Sequence, residues 1–360
     1  MNPSRLFDFL RGQALTIPPM DGVFRPDNRL EQAPARVKLP RPDNLTADAA
    51  GAVFSSDERL YRLPAAPGGE PLLLYRFPHP IISLAARPGG GLAAGLDDHS
   101  LWLFADGAAA PLALGEPAIR CPTALLFLDE RRLAVCVGSS SLKAGDWRRD
   151  LLSHHRQGSV WLADIRSREA RCLVRGLAFP NGVAPGPQPA TLAVSESWRH
   201  RLLQIPLAGG APIVLADQLP AYPGRIVRDA GGGYWLACFA PRNRLVEFVL
   251  REKAYRRDML ADVPPDYWIA PALSSGGHFL EPLQCGGVKT MGVHKPWSPS
   301  RSWGLAVYLD SRLRPAASYH SRADGTRHGV TSILPQGEHV WVAAKGGDVI
   351  VDIGREATYG

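Results

Sequence analysis

The chain contains 360 residues, of which 45% are hydrophobic and 21% charged, and its formal net charge at pH 7 is +7. This length is sufficient for one large β domain or two ordinary domains. No apolar run approaches the ~18 residues that a transmembrane helix needs, and residues 1–20 lack the apolar core and cleavage site of a secretory signal. These features predict a cytoplasmic protein without a membrane partner.

The positive charge is dispersed along the chain. Most basic residues are arginines that occur singly or in pairs between acidic residues, and the densest clusters lie at 147–149, 199–201 and 256–257. None of them is a long basic run, so the pattern is typical of a solvated surface and predicts no nucleic-acid partner. The five cysteines show no CxxC pair and no histidine at metal-ligand spacing, which indicates reduced, mostly buried thiols.

A unit of four short strands recurs along the chain at a spacing of roughly 40 residues. The first strands of the six units lie at residues 44–48, 81–85, 123–127, 182–184, 225–227 and 330–333. This repeat predicts an all-β protein that folds as a six-bladed β-propeller, because a β-sandwich would not repeat so regularly. Functional groups are then expected where the central channel opens on the loop face.

The last unit contains only three strands, the last of which ends at residue 352. Its fourth strand is predicted to come from residues 35–39, the one suitable segment near the N-terminus. Such closure protects the edges of the first and last blades. The predicted organisation is therefore an N-terminal extension at residues 1–32, followed by the propeller at residues 33–354.

Two insertions interrupt the repeat. Residues 141–158 separate two strands of the third blade, and residues 244–300 expand the fifth blade. Within the second insertion, residues 245–259 have the apolar spacing of a helix, whereas Gly276-Gly277 and Gly286-Gly287 mark irregular loop. Long loops on a rigid scaffold are commonly functional. We expect the second insertion to form a lid over the channel mouth, with a structural plug at the side as the alternative.

Several motifs resemble those of the strictosidine synthase-like family. They are Phe-Pro-Asn-Gly-Val-Ala at 179–184, Leu-Ala-Val-Ser-Glu at 192–196 and residues 201–203, with further similarity at 146–158, 219–223 and 233–237. This family belongs to the wider superfamily of gluconolactonases, senescence-marker lactonases and paraoxonases. The resemblance covers roughly residues 40–353 and implies a six-bladed propeller. It does not determine the reaction, because this fold supports several chemistries.

The resemblance also implies where a metal ion would bind. In calcium-dependent members, residues at the ends of the innermost strands converge on one Ca²⁺, which needs about six to eight oxygen ligands. The matching positions are Asp43, Thr123 or its neighbour, Asn181 and the pair Gly224-Arg225. Because a guanidinium beside a divalent cation is strongly unfavourable in a dry channel, Gly224-Arg225 predicts that no catalytic Ca²⁺ is bound. Asp43 and Asn181 are then remnants of a metal site, and Arg225 is expected to bind an anionic group.

Residues of the last blade complete the predicted site. Strictosidine synthases use a glutamate at the position that matches Val330-Thr331, where this chain has no carboxylate, so their amine-condensing mechanism is not implied. Thr331, like Thr123, is expected to contact the substrate. His328 precedes the innermost strand and is predicted to transfer protons, with Asp43 as the residue that orients it. A structural histidine bonded to the backbone is the alternative.

The leading hypothesis is a small-molecule hydrolase of the lactonase or esterase type that works at the channel mouth without a cofactor. Arg225 and Asn181 would bind a carboxylate or oxyanion, and His328 would transfer the proton. The predicted partner is a small, anionic ligand, and the oligomeric state stays undetermined. Two alternatives remain open: a strictosidine synthase-like lyase or condensing enzyme, and a non-catalytic propeller in which Arg225 holds an acidic ligand.

Overall fold

The computed structural model describes residues 17–66, 68–276, 281–282 and 300–355. Within these ranges the strands form six four-stranded antiparallel sheets. The innermost strand of each sheet contacts the innermost strand of the next, and the sixth contacts the first, so the sheets close into a ring. The prediction of an all-β, six-bladed β-propeller is confirmed.

The blades are numbered in chain order, and their strands run from the axis outward. The strands of blades 1–3 are Pro42–Asp48, Gly51–Ser56, Arg59–Arg62 and Leu72–Arg76; Ile81–Ala86, Leu92–Leu96, Leu101–Ala105 and Ala108–Pro111; and Pro122–Phe127, Arg132–Val137, Gly158–Asp164 and Ala170–Leu177. The strands of blades 4–6 are Pro180–Pro185, Thr191–Glu196, Arg201–Pro206 and Ile213–Ala216; Ala221–Arg228, Tyr234–Pro241, Gly304–Leu309 and Pro315–Ser321; and Val330–Gln336, His339–Ala344, Val349–Asp352 and Ala35–Lys38. The α-helices are Arg29–Gln32 (α1), Trp147–Ser153 (α2), Arg244–Arg251 (α3) and Lys253–Asp262 (α4).

Burial follows the distance of a strand from the axis. Every residue of the second strands Leu92–Leu96 and Tyr234–Pro241 is buried, because neighbouring blades cover both faces of these strands. The outermost strand of blade 1 instead exposes the side chains of Leu72 and Leu73. The second strands are therefore nearly continuous apolar runs, which is why they are easily recognised in the sequence.

The N-terminal strand closes the ring as predicted. Ala35–Lys38 pairs antiparallel with Val349–Asp352, and Val37 lies opposite Ile350. Both side chains are buried in a cluster shared by blades 6 and 1, together with Phe54 and Trp341. Closure thus combines backbone pairing with a hydrophobic contact between the two ends of the propeller.

Both insertions carry helices and pack against each other. The first insertion contains α2, which the sequence did not predict, and Arg148 of α2 donates a hydrogen bond from Nη1 to the Pro265 carbonyl oxygen at 3.2 Å. The second insertion was predicted to hold one helix at 245–259, and this is corrected to α3 and α4. Glu252 separates them because its backbone (φ −83°, ψ 85°) leaves the helical region. The break lets Val249 and Met259 pack into one hydrophobic cluster.

The described part of the N-terminal extension is held by α1. Leu30 is fully buried, and the carboxylate of Glu31 accepts hydrogen bonds from the Ser321 hydroxyl and the Thr326 backbone N–H. Residues 1–16 of the predicted extension, and Gly277, Gly286 and Gly287 of the predicted loop, lie outside the described residues. In the portion of the chain that is described, no helix has the length and apolar character to cross a membrane.

Truncating the closing strand tests the closure. Val37→Ala removes two buried methyl groups, and we expect the free energy of unfolding to fall by about 2 kcal/mol in urea denaturation. Lys38→Ala on the same strand changes an exposed residue and serves as the control, with an expected effect within about 0.5 kcal/mol. Equal effects of the two substitutions would show that the strand does not hold the ring closed.

Candidate functional site

All six innermost strands contain a bulge near the end where the chain enters the sheet. In the pairing between the innermost and the second strand, one residue of the innermost strand is left without a partner in four blades, and two residues are left in the other two blades. The skipped residues are Asn44 and Leu45, Ile82, Thr123, Asn181, Gly224 and Arg225, and Thr331. A bulge re-aims the residue that it leaves unpaired. In blades 2–6 the skipped residues lie together at the same end of the axis, whereas blade 1 contributes Asp43, which directly precedes its bulge.

A cavity of about 380 Å³ opens at this end, within the size range of small-molecule sites. Its charged lining residues are Arg41, Asp43, Asp57, Asp97, Arg225 and Lys345. Its aromatic lining residues are Trp147, Phe179, Trp198 and Phe239, and its uncharged polar side chains come from Ser55, Thr123, Asn181 and Thr331. The cavity thus has a charged part and an aromatic part.

Arg225 crosses the axis and binds three other blades. Its Nη1 donates to Asp43 Oδ1 at 3.0 Å and to the Thr331 carbonyl oxygen at 3.2 Å, and its Nη2 donates to the Ile82 carbonyl oxygen. The Lys345 Nζ donates to the other oxygen of Asp43, Oδ2, at 2.8 Å. We call Arg225, Asp43 and Lys345 the axial charge cluster.

The axial charge cluster carries a surplus of positive charge. The Asp43 side chain is 6% exposed, whereas those of Arg225 and Lys345 are each 19% exposed. Burial by itself would raise the pKa of the Asp43 carboxyl, but the charges of Arg225 and Lys345 outweigh it and lower the pKa to about 2. One carboxylate faces two cations, so the axial charge cluster has a local net charge of +1. Arg41, Asp57 and Asp97 also line the cavity, and with them the charged lining sums to zero.

The axial charge cluster does not fit a calcium ion. Ca²⁺ requires several free oxygen ligands, but each oxygen of Asp43 already accepts a bond from a cationic side chain. The carbonyl oxygens of Ile82 and Thr331, which also face the axis, accept bonds from Arg225. A divalent ion at this place would be repelled by two neighbouring positive charges.

The other residues predicted from sequence differ in whether their polar side-chain atoms already have hydrogen-bond partners in the protein. Asn181 lines the cavity, and within the described residues its amide has no hydrogen-bond partner, so it is available to a ligand. The Thr123 hydroxyl is buried and donates to the Pro180 carbonyl oxygen at 2.5 Å. Thr123 therefore ties blade 3 to blade 4, whereas Thr331 contributes its carbonyl oxygen to the axial charge cluster.

The structure does not bring His328 to the cavity. Its ring is buried, with Nδ1 at 2.7 Å from the Ser302 hydroxyl and Nε2 at 2.7 Å from the Arg322 carbonyl oxygen. The expectation that Asp43 orients His328 is corrected, because Asp43 binds Arg225 and Lys345 instead. The placement of His328 agrees with the alternative of a structural histidine bonded to the backbone.

Charged residues that the sequence reasoning missed follow the second strands. Asp57, Asp97 and Lys345 each come directly after the second strand of their blade and line the cavity. Because adjacent strands are antiparallel, the end of a second strand lies at the same edge as the start of the innermost strand. This positional rule would have found all three residues. Asp57 lies 3.4 Å from Arg41, whereas Asp97 forms no ion pair among the described residues.

No family model matches the chain. The adipocyte plasma membrane-associated protein of Danio rerio is 24% identical over 164 residues, which cover 41% of this chain and 40% of that protein. The strictosidine synthase-like 10 protein of Arabidopsis thaliana is 30% identical over 130 residues, which cover 35% and 34% of the two chains. The resemblance to the strictosidine synthase-like family is confirmed. The matches nevertheless span less than half the length of these curated relatives.

Solved structures agree with the fold. A calcium-binding regucalcin from Agrobacterium tumefaciens superposes with a TM-score of 0.51 at 13% identity and covers 89% of this chain and 93% of its own. A candidate gluconolactonase superposes with a TM-score of 0.54 at 12% identity and covers 90% and 92%. At such low identity these superpositions show the six-bladed propeller fold alone.

Removing the central carboxylate tests the axial charge cluster. Asp43→Asn leaves Arg225 and Lys345 without their anion, and we expect the free energy of unfolding at pH 7 to fall by about 3–5 kcal/mol. The folded pKa of Asp43 is lowered, so the stabilisation is present above about pH 4 and is lost as the pH falls toward 2. The difference between wild type and variant should therefore shrink over this range in urea titrations.

Asp57→Asn is the matched control for Asp43→Asn. Asp57 also lines the cavity and also faces an arginine, but its side chain is 37% exposed and that of Arg41 is 62% exposed. An exposed pair contributes about 0–1 kcal/mol, so the control should change stability little. A loss at pH 7 that is no larger for Asp43→Asn than for Asp57→Asn would contradict the assigned role of Asp43.

Proposed function

We propose that the axial cavity binds and hydrolyses a small ester or lactone without a bound metal ion. The observation that carries this proposal is the net positive charge of the axial charge cluster at the cavity wall. Preorganised positive charge stabilises the oxyanion that develops during acyl transfer. The same charge favours binding of the carboxylate product.

Two side chains provide the donors that such an oxyanion needs. Lys345 has three N–H donors, of which Asp43 accepts one, so two remain for a ligand. The uncommitted Asn181 amide offers a second donor in the same cavity. Arg225 already serves three protein acceptors, so its role in the proposal is to hold Asp43 and to contribute charge.

Asp97 is the proton acceptor of the proposed reaction. Of the three carboxylates in the described lining, Asp43 and Asp57 form ion pairs and Asp97 does not. His328 cannot take this role because it lies outside the cavity. A water molecule adds to the acyl carbon while its proton passes to Asp97. The bond between the acyl carbon and the leaving oxygen then breaks, and the leaving alkoxide takes up the proton from Asp97. The products are the carboxylic acid and an alcohol, or one hydroxy acid from a lactone.

A non-catalytic binding propeller is the second candidate. Among the described residues that line the cavity there is no histidine or cysteine, and this favours binding over covalent catalysis. Such a protein would hold a small organic anion against Lys345 and Asn181. The condensing-enzyme alternative has less support, because the position of the family's glutamate is taken by Thr331, whose carbonyl oxygen binds Arg225.

A panel of esters and lactones tests the hydrolase proposal in the presence of EDTA. We expect turnover to be insensitive to EDTA and to added Ca²⁺. Lys345→Met should lower kcat/KM at least ~100-fold, as the loss of an oxyanion donor does. Asp97→Asn should lower kcat by a similar factor, because a general base contributes about 100-fold or more.

Lys143→Met is the control, because Lys143 is exposed on the first insertion and is absent from the lining. It should retain wild-type kcat/KM. Turnover that EDTA abolishes and Ca²⁺ restores would refute the metal-free reaction. Ligands that raise the melting temperature without being consumed would support the binding propeller instead.

A further inference from the structure

The aromatic part of the cavity is a continuous assembly of four rings. Phe179 stacks on Trp198 with ring centroids 4.5 Å apart and planes at 26°. Trp147 lies 6.1 Å from Trp198 at 29°, and Phe239 meets both tryptophans edge to face. Phe179 and Phe239 are buried, whereas Trp147 and Trp198 keep part of their surfaces exposed. We call these four residues the aromatic wall.

Polar contacts fix the aromatic wall in place. The Trp198 Nε1 donates to Asp150 Oδ1 at 2.8 Å, and Asp150 lies buried on α2, the helix that begins with Trp147. At the start of the same insertion, the Gly145 backbone N–H donates to Asp97 Oδ1 of blade 2 at 3.1 Å. The indole faces are therefore held before a ligand arrives, which reduces the entropy cost of binding.

The aromatic wall and the axial charge cluster line the same cavity of about 380 Å³. Indole rings bind flat, π-electron-rich groups by stacking, and they prefer them to saturated groups of equal size. The axial charge cluster selects an anionic or developing anionic oxygen group. A ligand that meets both requirements has an aromatic ring at one end and a carboxyl group at the other.

We propose that the ligand class is aromatic carboxylic acids, as free anions and as their esters or lactones. This proposal rests on the proposed function, since it assigns the carboxyl end of the ligand to Lys345. It adds that Trp198 and Trp147 select the ring. Trp198 thus determines specificity, and Asp150 acts as its positioning residue.

Calorimetric titration with three small probes tests the ligand class. The probes are 2-naphthoate, which has both features, cyclohexanecarboxylate, which lacks the aromatic ring, and 2-naphthalenemethanol, which lacks the charge. We expect 2-naphthoate to bind at least ~10-fold more tightly than either of the others, in line with measured stacking contributions. Equal affinity for 2-naphthoate and cyclohexanecarboxylate would overturn the proposal.

Single substitutions distinguish the contribution of the aromatic wall to ligand affinity from that of the axial charge cluster. Trp198→Leu should weaken 2-naphthoate about 10-fold and leave cyclohexanecarboxylate unchanged, whereas Lys345→Met should weaken both carboxylates. Trp147→Leu, on the partly exposed insertion, gives the same test if Trp198→Leu does not fold. Phe248→Leu on the exposed face of α3 is the control for loss of an aromatic ring.

The outcomes distinguish the ligand class from the proposed function. If both carboxylates bind equally and only Lys345→Met weakens them, the aromatic class is wrong and the charged site stands. If neither carboxylate binds, or Lys345→Met has no effect, the proposed function fails and the ligand class fails with it. Loss of 2-naphthoate binding alone in Trp198→Leu supports the ligand class.

Discussion

The site depends on one interaction, the contact of the Arg225 guanidinium with Asp43 across the propeller axis. Arg225 comes from blade 5 and meets acceptors from blades 1, 2 and 6. A buried ion pair is not by itself a strong source of stability, but removing one partner leaves an uncompensated charge. Together with Lys345, the pair places two cations around one buried carboxylate at the wall of the cavity. The proposed chemistry rests on this local excess of positive charge.

The bulges of the innermost strands position the residues of the site. Blades 2–6 each present a skipped residue to the cavity. A different side chain at one of these bulges would therefore change the site while the sheet stays the same. At blade 5 the skipped pair is Gly224-Arg225. The glycine leaves room there, since a Cβ at Gly224 would lie 3.3 Å from the Ala237 carbonyl oxygen. The residues of the site can therefore differ between propellers that share the same fold.

Much of this architecture was predictable from sequence, because each blade repeats the same apolar pattern and Val37 lies in the one segment able to complete the last sheet. Arg225 and Asn181 line the cavity, and sequence could place them there because both lie at the start of an innermost strand. Lys345 and Asp97 were missed because they follow second strands, where the repeat has no fixed motif. His328 was misplaced because the chain turns at Gly329, whose φ is +63°, directly before the innermost strand begins. The side chain of His328, on the far side of this turn from the strand, therefore does not point where the alternation of the strand would place it.

The most direct test is a crystal structure of the protein soaked in millimolar Ca²⁺. We expect the Arg225 guanidinium to occupy the axis, with Asp43 bound to Arg225 and Lys345, and the ion to stay in the solvent. An axial ion coordinated by Asp43 and Asn181, with Arg225 turned away, would show that the site binds calcium and that Arg225 does not hold Asp43.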